Sequence, residues 1–208
     1  MRQRLGVHVL LGAAMACSIY IATGAIAGAQ APLAIGAARI SISGTSNIHE
    51  YTASTTAVQV TRAQFSATPA GPEFWTNLLK PGAVEAFEVA IPAATLTSPR
   101  EGLDKNMHKA LQVKEHQDIT FRLLRLGPGS GAAGTFRGIG VLKVAGVERE
   151  VVLEMTAERK DAGLSVQGHV QLLMTDFGIK PPTAMLGMLK TDPKVTVTFE
   201  TLLTIPLT

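Results

Sequence analysis

Residues 173–199 read LMTDFGIKPPTAMLGMLKTDPKVTVTF, and this stretch decides the fold. On its N-terminal side Leu164, Val166, Gly168, Val170, Leu172 and Met174 alternate with Ser165, Gln167, His169 and Gln171. On its C-terminal side Val195, Val197 and Phe199 alternate with Thr196, Thr198 and Glu200. A period of two puts one face of each segment in a core and the other in water, so both are strands. The connection between them is greasy: Pro181-Pro182, then Ala184-Met185-Leu186-Gly187-Met188-Leu189. Surface loops are normally polar. Apolar residues here must cover something, and methionine adapts to an irregular surface. The expectation is a β-barrel with an apolar interior, closed over by long connections.

The same alternation recurs upstream. Ile40 and Ile42 share one phase, as do Val58 and Val60 in a Thr- and Val-rich stretch from Ser54 to Phe65. Phe87, Val89 and Ile91 share another, ended by Pro92. From Asp118 the chain is almost wholly β: Ile119-Thr120-Phe121-Arg122-Leu123, then Thr135 to Ala145, then Val147 to Arg159. Gly127 to Gly131, Ala145-Gly146 and Asp161-Ala162-Gly163 are hairpin tips between them. Gly138 and Gly140 inside a strand suggest the bends of a closed barrel. Hairpin follows hairpin, so the expected fold is all-β: an antiparallel up-and-down, lipocalin-like barrel of about eight strands. Eight strands is the size that can enclose one small ligand.

One helix is expected, over Ser98–Val113. Ser98 as cap, Pro99 in the first turn and Glu101 three residues on make a capping box. Leu103, Met107, Ala110 and Leu111 then form an apolar stripe. The turn-rich stretch 66–82 holds Phe74-Trp75 and Leu78-Leu79, which suit a short helical turn over a barrel end.

The chain has 208 residues, 46% hydrophobic and 17% charged, which fits one domain with a sizeable core. Arg2 and Arg4 precede an uncharged apolar run from Leu5 to about Ala27, and Ala27-Gly28-Ala29 has the small residues a signal peptidase reads. The expected division is a signal peptide over 1–29, a short leader over 30–37 and a barrel domain over 38–208. This places the protein in the periplasm or outside the cell. An uncleaved anchor helix is the alternative, since the run is long enough to span a bilayer. Cys17, the single cysteine, falls inside that run, so the mature barrel has no disulfide. Setting aside Arg2 and Arg4 leaves 17 Lys and Arg against 16 Asp and Glu. That balance, with two Tyr and one Trp in the whole chain, gives no footing for nucleic acid.

Histidines at 49, 108, 116 and 169 do not show the short, converging spacing of a zinc site. Ser46, His49 and Glu50 lie close in sequence, but no nucleophile elbow surrounds Ser46, and turn chemistry explains the stretch more simply. No catalytic or metal residues are assigned and no cofactor is expected beyond a bound lipid. The residues expected to line the pocket are Phe87, Val89, Met107, Leu111, Phe121, Leu142, Met155, Leu172, Phe177, Met185, Leu186 and Met188.

These segments resemble, in order, those of the YceI-like family of lipocalin-like lipid-binding proteins. The matching residues are Ile91-Pro92-Ala93 through Asp104-Lys105-Asn106-Met107-His108, Ile119-Thr120-Phe121, Gly138 to Val147, and Val170 to Phe199 with Thr175-Asp176-Phe177-Gly178-Ile179. The resemblance spans roughly 38–206. It implies an eight-stranded barrel outside the cytoplasm, with a long apolar pocket for a polyisoprenoid chain such as a quinone tail. Two departures bear on the head-group contacts. Gly44 to Glu50 stands where many members carry an aspartate and a His-Ser pair, and Met174-Thr175 stands where many carry arginine or lysine. The expected partner is thus a hydrophobic small molecule, with transient membrane contact and a homodimer as further expectations. An enzyme acting on a lipid head group and a ligand-free, partner-binding barrel remain the rival readings.

Overall fold

The computed structural model describes residues 33–69, 71–131, 134–184 and 188–205. The expected signal peptide lies outside the described residues. Strand β1 spans Ala34–Ser46, starting inside the expected leader, because Ala34 to Ala38 pair with Thr201 to Thr204 at the far end of the chain. The other strands are β2 (Glu50–Thr55), β3 (Gln59–Phe65), β4 (Val84–Pro92), β5 (Asp118–Pro128), β6 (Thr135–Val144), β7 (Val147–Lys160), β8 (Gly163–Leu173), β9 (Thr183–Ala184) and β10 (Leu189–Thr204).

All pairings are antiparallel, and the order is β2-β1-β10-β8-β7-β6-β5-β4-β3, with β9 off this path on β10. The two edge strands, β2 and β3, are consecutive in the chain and separated only by residues 56–58. They are two halves of one long stave. Its second half pairs with β4, and Ser54 in its first half exchanges backbone hydrogen bonds of 2.8 and 3.0 Å with Thr97, just beyond β4. The seam is therefore closed by β3 on β4 and, beyond the break, by the single Ser54–Thr97 bridge. Counting β2 with β3 and setting aside the two-residue β9 gives the eight staves that the alternation predicts. At the break, Thr55 Oγ1 accepts the Ala57 N–H at 3.0 Å and lies 2.7 Å from Thr95 Oγ1, so this buried hydroxyl is satisfied.

Up-and-down order sends alternate connections to opposite ends. One end carries the β1–β2 turn, the long β4–β5 connection, the β6–β7 hairpin and the β8–β10 connection. The hairpin at Ala145-Gly146 is as tight as expected, with φ of 48° and 79°, the left-handed pair of a type I′ turn. The other end carries the β3–β4 connection, two hairpins and the outer ends of β1 and β10.

Among the described residues two α-helices are present, one where a helix was expected and one where only a helical turn was. Helix α1 (Gly71–Leu78) forms in the turn-rich stretch because its prolines and glycines flank the apolar stripe rather than interrupt it. Phe74, Trp75 and Leu78 are buried with Leu33, Ala63, Leu164 and Leu203. Helix α2 spans Glu101–Ala110, and its N-cap is Arg100, not Ser98. The expected capping box does not form. The Thr97–Ser54 bridge holds the chain extended, Ser98 Oγ turns back on Arg100, and the Asp104 carboxylate accepts the Ser98 N–H at 2.8 Å.

Candidate functional site

The inward phases of the strands line a cavity of about 500 Å³. Its wall includes Ile40, Ile42, Val89, Ile91, Leu153, Val166, Val170, Val197 and Phe199. Ile35 and Ser46, both in the wall, are 11 residues apart on β1, which makes the tube roughly 25–30 Å long at the strand rise and tilt of a small barrel.

Of the twelve residues singled out in sequence, nine stand in this wall: Phe87, Val89, Met107, Leu111, Phe121, Leu142, Met155, Leu172 and Phe177. Met185 and Leu186 lie outside the described residues. Met188 does not line the cavity; it is 66% exposed. The backbone around it is committed to Asn47, whose side-chain N–H donates to the Met188 carbonyl and whose Oδ1 accepts the Lys190 N–H, each at 2.8 Å. That clasp ties the β1–β2 turn to the start of β10 and leaves the methionine facing outward.

Four glycines on inward positions explain why a barrel with this many large side chains is hollow. Tyr51 lies over Gly44, Met155 over Gly138, Phe121 over Gly140 and Phe199 over Gly168. A Cβ on any of these glycines would come within 2.3–2.7 Å of the covering side chain. The large groups lie along the wall because the glycine beneath leaves room, so their bulk does not fill the lumen. Gly138 and Gly140, read in sequence as bends, act here as seats for Met155 and Phe121. Phe199 and Tyr51 sit directly opposite their glycines, which only the strand register reveals.

The two ends of the tube differ. At the α1 end the wall is Leu33, Phe65, Leu78, Leu79, Val84, Leu164 and Leu203, backed by Phe74 and Trp75. Phe74 stacks edge-on with Phe65 at 5.3 Å and Trp75 at 5.2 Å, and the Arg159 guanidinium caps the Trp75 ring at 5.7 Å. At the other end Ser46, His49, Tyr51, Arg100, Asn106, Thr183 and Thr191 enter the wall, and they form a polar rim.

The rim hydroxyl of Ser46 is engaged in its own turn. It donates to the His49 carbonyl at 2.8 Å and accepts the N–H groups of Ile48 and His49 at 3.3 and 3.1 Å, as turn chemistry predicts. His108 Nε2 lies 2.8 Å from the Leu96 carbonyl oxygen, which fixes α2 against the segment that closes the seam. Tyr51 differs from Ser46: its Oη is buried with no hydrogen-bond partner among the described residues. Burial raises its pKa above the ordinary 10.0, and the nearby Asp192 carboxylate adds to the shift. No group of three or more His, Cys, Asp or Glu able to hold a metal occurs among the described residues.

Solved structures share this architecture at low sequence identity. BcnA from Burkholderia cenocepacia superposes with a TM-score of 0.61 at 12% identity, covering 80% of this chain and 95% of its own. A polyisoprenoid-binding domain from Saccharophagus degradans, implicated in plant cell wall breakdown, gives 0.61 at 13% identity, covering 85% of this chain and 100% of its own. The YceI protein of Campylobacter jejuni gives 0.54 at 13% identity, covering 79% and 85%. Among curated protein sequences none matches significantly. The model of the YceI-like domain matches residues 37–203, the length of the barrel, and the chain belongs to that family.

Proposed function

We propose that this barrel carries an isoprenoid lipid, shielding its tail from water outside the cytoplasm. The observation that carries this reading is the apolar cavity of about 500 Å³ between the strands, within the range of ligand sites, with Ser46, His49, Tyr51, Arg100 and Asn106 at one end. The mechanism is transfer of apolar surface out of water. Each buried methylene contributes roughly 0.8 kcal/mol, so a few isoprene units offset the cost of immobilising a flexible chain. The similarity to a polyisoprenoid-binding domain supports the choice of ligand class. The apolar, Arg-led N-terminus supports export.

Loading takes place at a membrane, through the rim end. Ile48 and Met188 stand 60% and 66% exposed beside the Asn47 clasp, whose other backbone partner is Lys190. Exposed apolar side chains next to a basic residue suit a brief contact with lipid head groups. Catalysis has no constellation in its favour, since Ser46 is consumed by its turn. Organic extraction of the purified full chain, followed by mass spectrometry, tests the reading. A co-purifying prenyl lipid, or stoichiometric uptake of one, is expected. A barrel that neither retains nor takes up any apolar ligand overturns it, and concentration-dependent dimerisation without uptake would favour a partner-binding role instead.

A further inference from the structure

Between β7 and β8 no ladder holds the barrel wall at its rim end. Their pairing stops at Glu154 and His169. Beyond it β7 continues from Leu153 to Val147 paired only with β6, and β8 continues from Val170 to Leu173 paired only with β10. The part of β7 left free on that side spans roughly 20 Å at the usual strand rise. Parting two paired strands breaks backbone hydrogen bonds, but parting β7 from β8 here breaks no ladder bond.

The turn that follows β8 fills this split. It is a single helical turn, Met174–Phe177, and it touches β7, β8 and β10. Phe177 is 4% exposed and packs in one cluster with Val151 of β7 and Leu172 of β8. All three stand in the cavity wall. A Cβ on Gly178 would lie 3.8 Å from Val147 Cγ2, so the end of the turn rests against β7. Its backbone hydrogen bonds are internal: the Gly178 N–H donates to the Thr175 carbonyl at 3.1 Å and the Ile179 N–H to the Met174 carbonyl at 3.0 Å. Among the described residues no hydrogen bond joins the turn to β7. Apolar contact alone holds it there. In water, withdrawing Phe177 exposes its ring and is opposed by the hydrophobic effect. Against lipid chains the ring exchanges one apolar surrounding for another, and that opposition largely disappears.

We propose that Phe177 is the bolt of a side door between β7 and β8, through which a lipid chain slides in along its length when the rim end touches a membrane. A chain that enters sideways leaves the bilayer segment by segment and never passes whole through water. This rests on the carrier reading above and adds the route of entry to it.

The test locks the door. Cys17 is the chain's one cysteine, so Cys17→Ser combined with Val147→Cys and Gly178→Cys leaves a single possible disulfide, between two residues outside the cavity wall. Comparing the oxidised and reduced forms of this one variant cancels the strain of a side chain at Gly178, where φ is 69°. A dansyl-labelled geranylgeranyl chain is delivered to the full chain from phosphatidylcholine vesicles and followed by stopped-flow fluorescence. Oxidation is expected to slow uptake and release by the same factor, about tenfold or more, as for a step gated by a lid. Equilibrium affinity is unchanged, and reduction restores both rates. Phe177→Leu, which shortens the bolt, speeds uptake as well as release, whereas the loss of a mere wall contact speeds release alone. Should the cysteine pair fail to oxidise, Phe177→Leu decides by itself. Equal rates in the oxidised and reduced forms, or a Phe177→Leu protein that speeds release alone, overturn the proposal while the carrier reading stands. The chain then enters through the mouth or through the β4–β5 gap, where the ladder likewise stops at Glu88 and Arg122. If no probe enters the unmodified barrel, the carrier reading fails first and takes this proposal with it.

Discussion

The two ends of the barrel are built from different chemistry. At the α1 end Phe74, Trp75 and Leu78 are each about 5% exposed or less, and they meet Leu33 before β1, Leu164 at the start of β8 and Leu203 near the end of β10. Every group there packs against another. At the rim end short polar side chains tie turns together, α2 has no buried residue of its own, and one phenol goes unsatisfied. The difference teaches that stability and binding are divided along the tube axis. The closed end supplies buried area, and the rim gives up some of it for access and polar contact.

The largest effect that would break this comparison is at the closed end. Trp75→Ala should cost about 3–5 kcal/mol, read as a lower denaturation midpoint. Met107→Ala, on the half-buried stripe of α2, should cost clearly less while weakening lipid uptake. Equal losses would mean the ends are not specialised.

The wall between the ends sharpens the point. A Cβ at Gly140 would meet the Arg122 carbonyl at 2.6 Å as well as the Phe121 ring, so Gly140→Ala should cost about 1–3 kcal/mol by forcing backbone to move. At Gly138 the close contact is the mobile Cε of Met155, at 2.5 Å. Gly138→Ala should therefore change stability little and instead push Met155 into the lumen. Reduced affinity for a branched prenyl chain, at near-normal melting temperature, is the expected signature.

At the rim itself, Asn47→Ala removes the bonds to Met188 and Lys190 and should cost about 0.5–1.5 kcal/mol. The more telling readout is exchange: bound lipid should leave faster in stopped-flow displacement.

The smallest effect is on pH. Tyr51 keeps its proton longer folded than unfolded, because its pKa is raised by burial and by Asp192. Below the unfolded value of 10.0 the phenol is neutral in both states and adds no pH dependence, and stability is lost as pH rises from there through the folded value. Stability measured from pH 9 upward should fall, and Tyr51→Phe should flatten that fall.

The walls of this tube were legible in sequence because alternation fixes which residues face inward. Phe121, Leu142 and Leu172 follow from phase alone, and so would Ile40, Val166, Val197 and Phe199 on the same rule. The ends were less legible. In the turn-rich stretch Phe74-Trp75 and Leu78-Leu79 indicate a helical turn over a barrel end, but its extent as the eight-residue helix α1 is blurred by the surrounding prolines and glycines. Ser98 has the pattern of a cap, yet pairing of Thr97 with Ser54, 43 residues earlier, decides that turn. Met188 reads as a lid residue, but Asn47, distant in sequence, turns it outward. Tyr51 shows no sign of its place until β1 and β2 are in register and Gly44 is opposite. Local patterns give faces, and long-range pairing gives ends.

The two-ended account is tested most directly by photocrosslinking the full chain to prenyl ketones with a diazirine at either terminus. A head-end label should attach near Ser46 to Tyr51, Thr183 and Thr191, and a tail-end label near Leu78, Leu164 and Leu203. Labels that attach only to the outer wall, or in the reverse order, would contradict it.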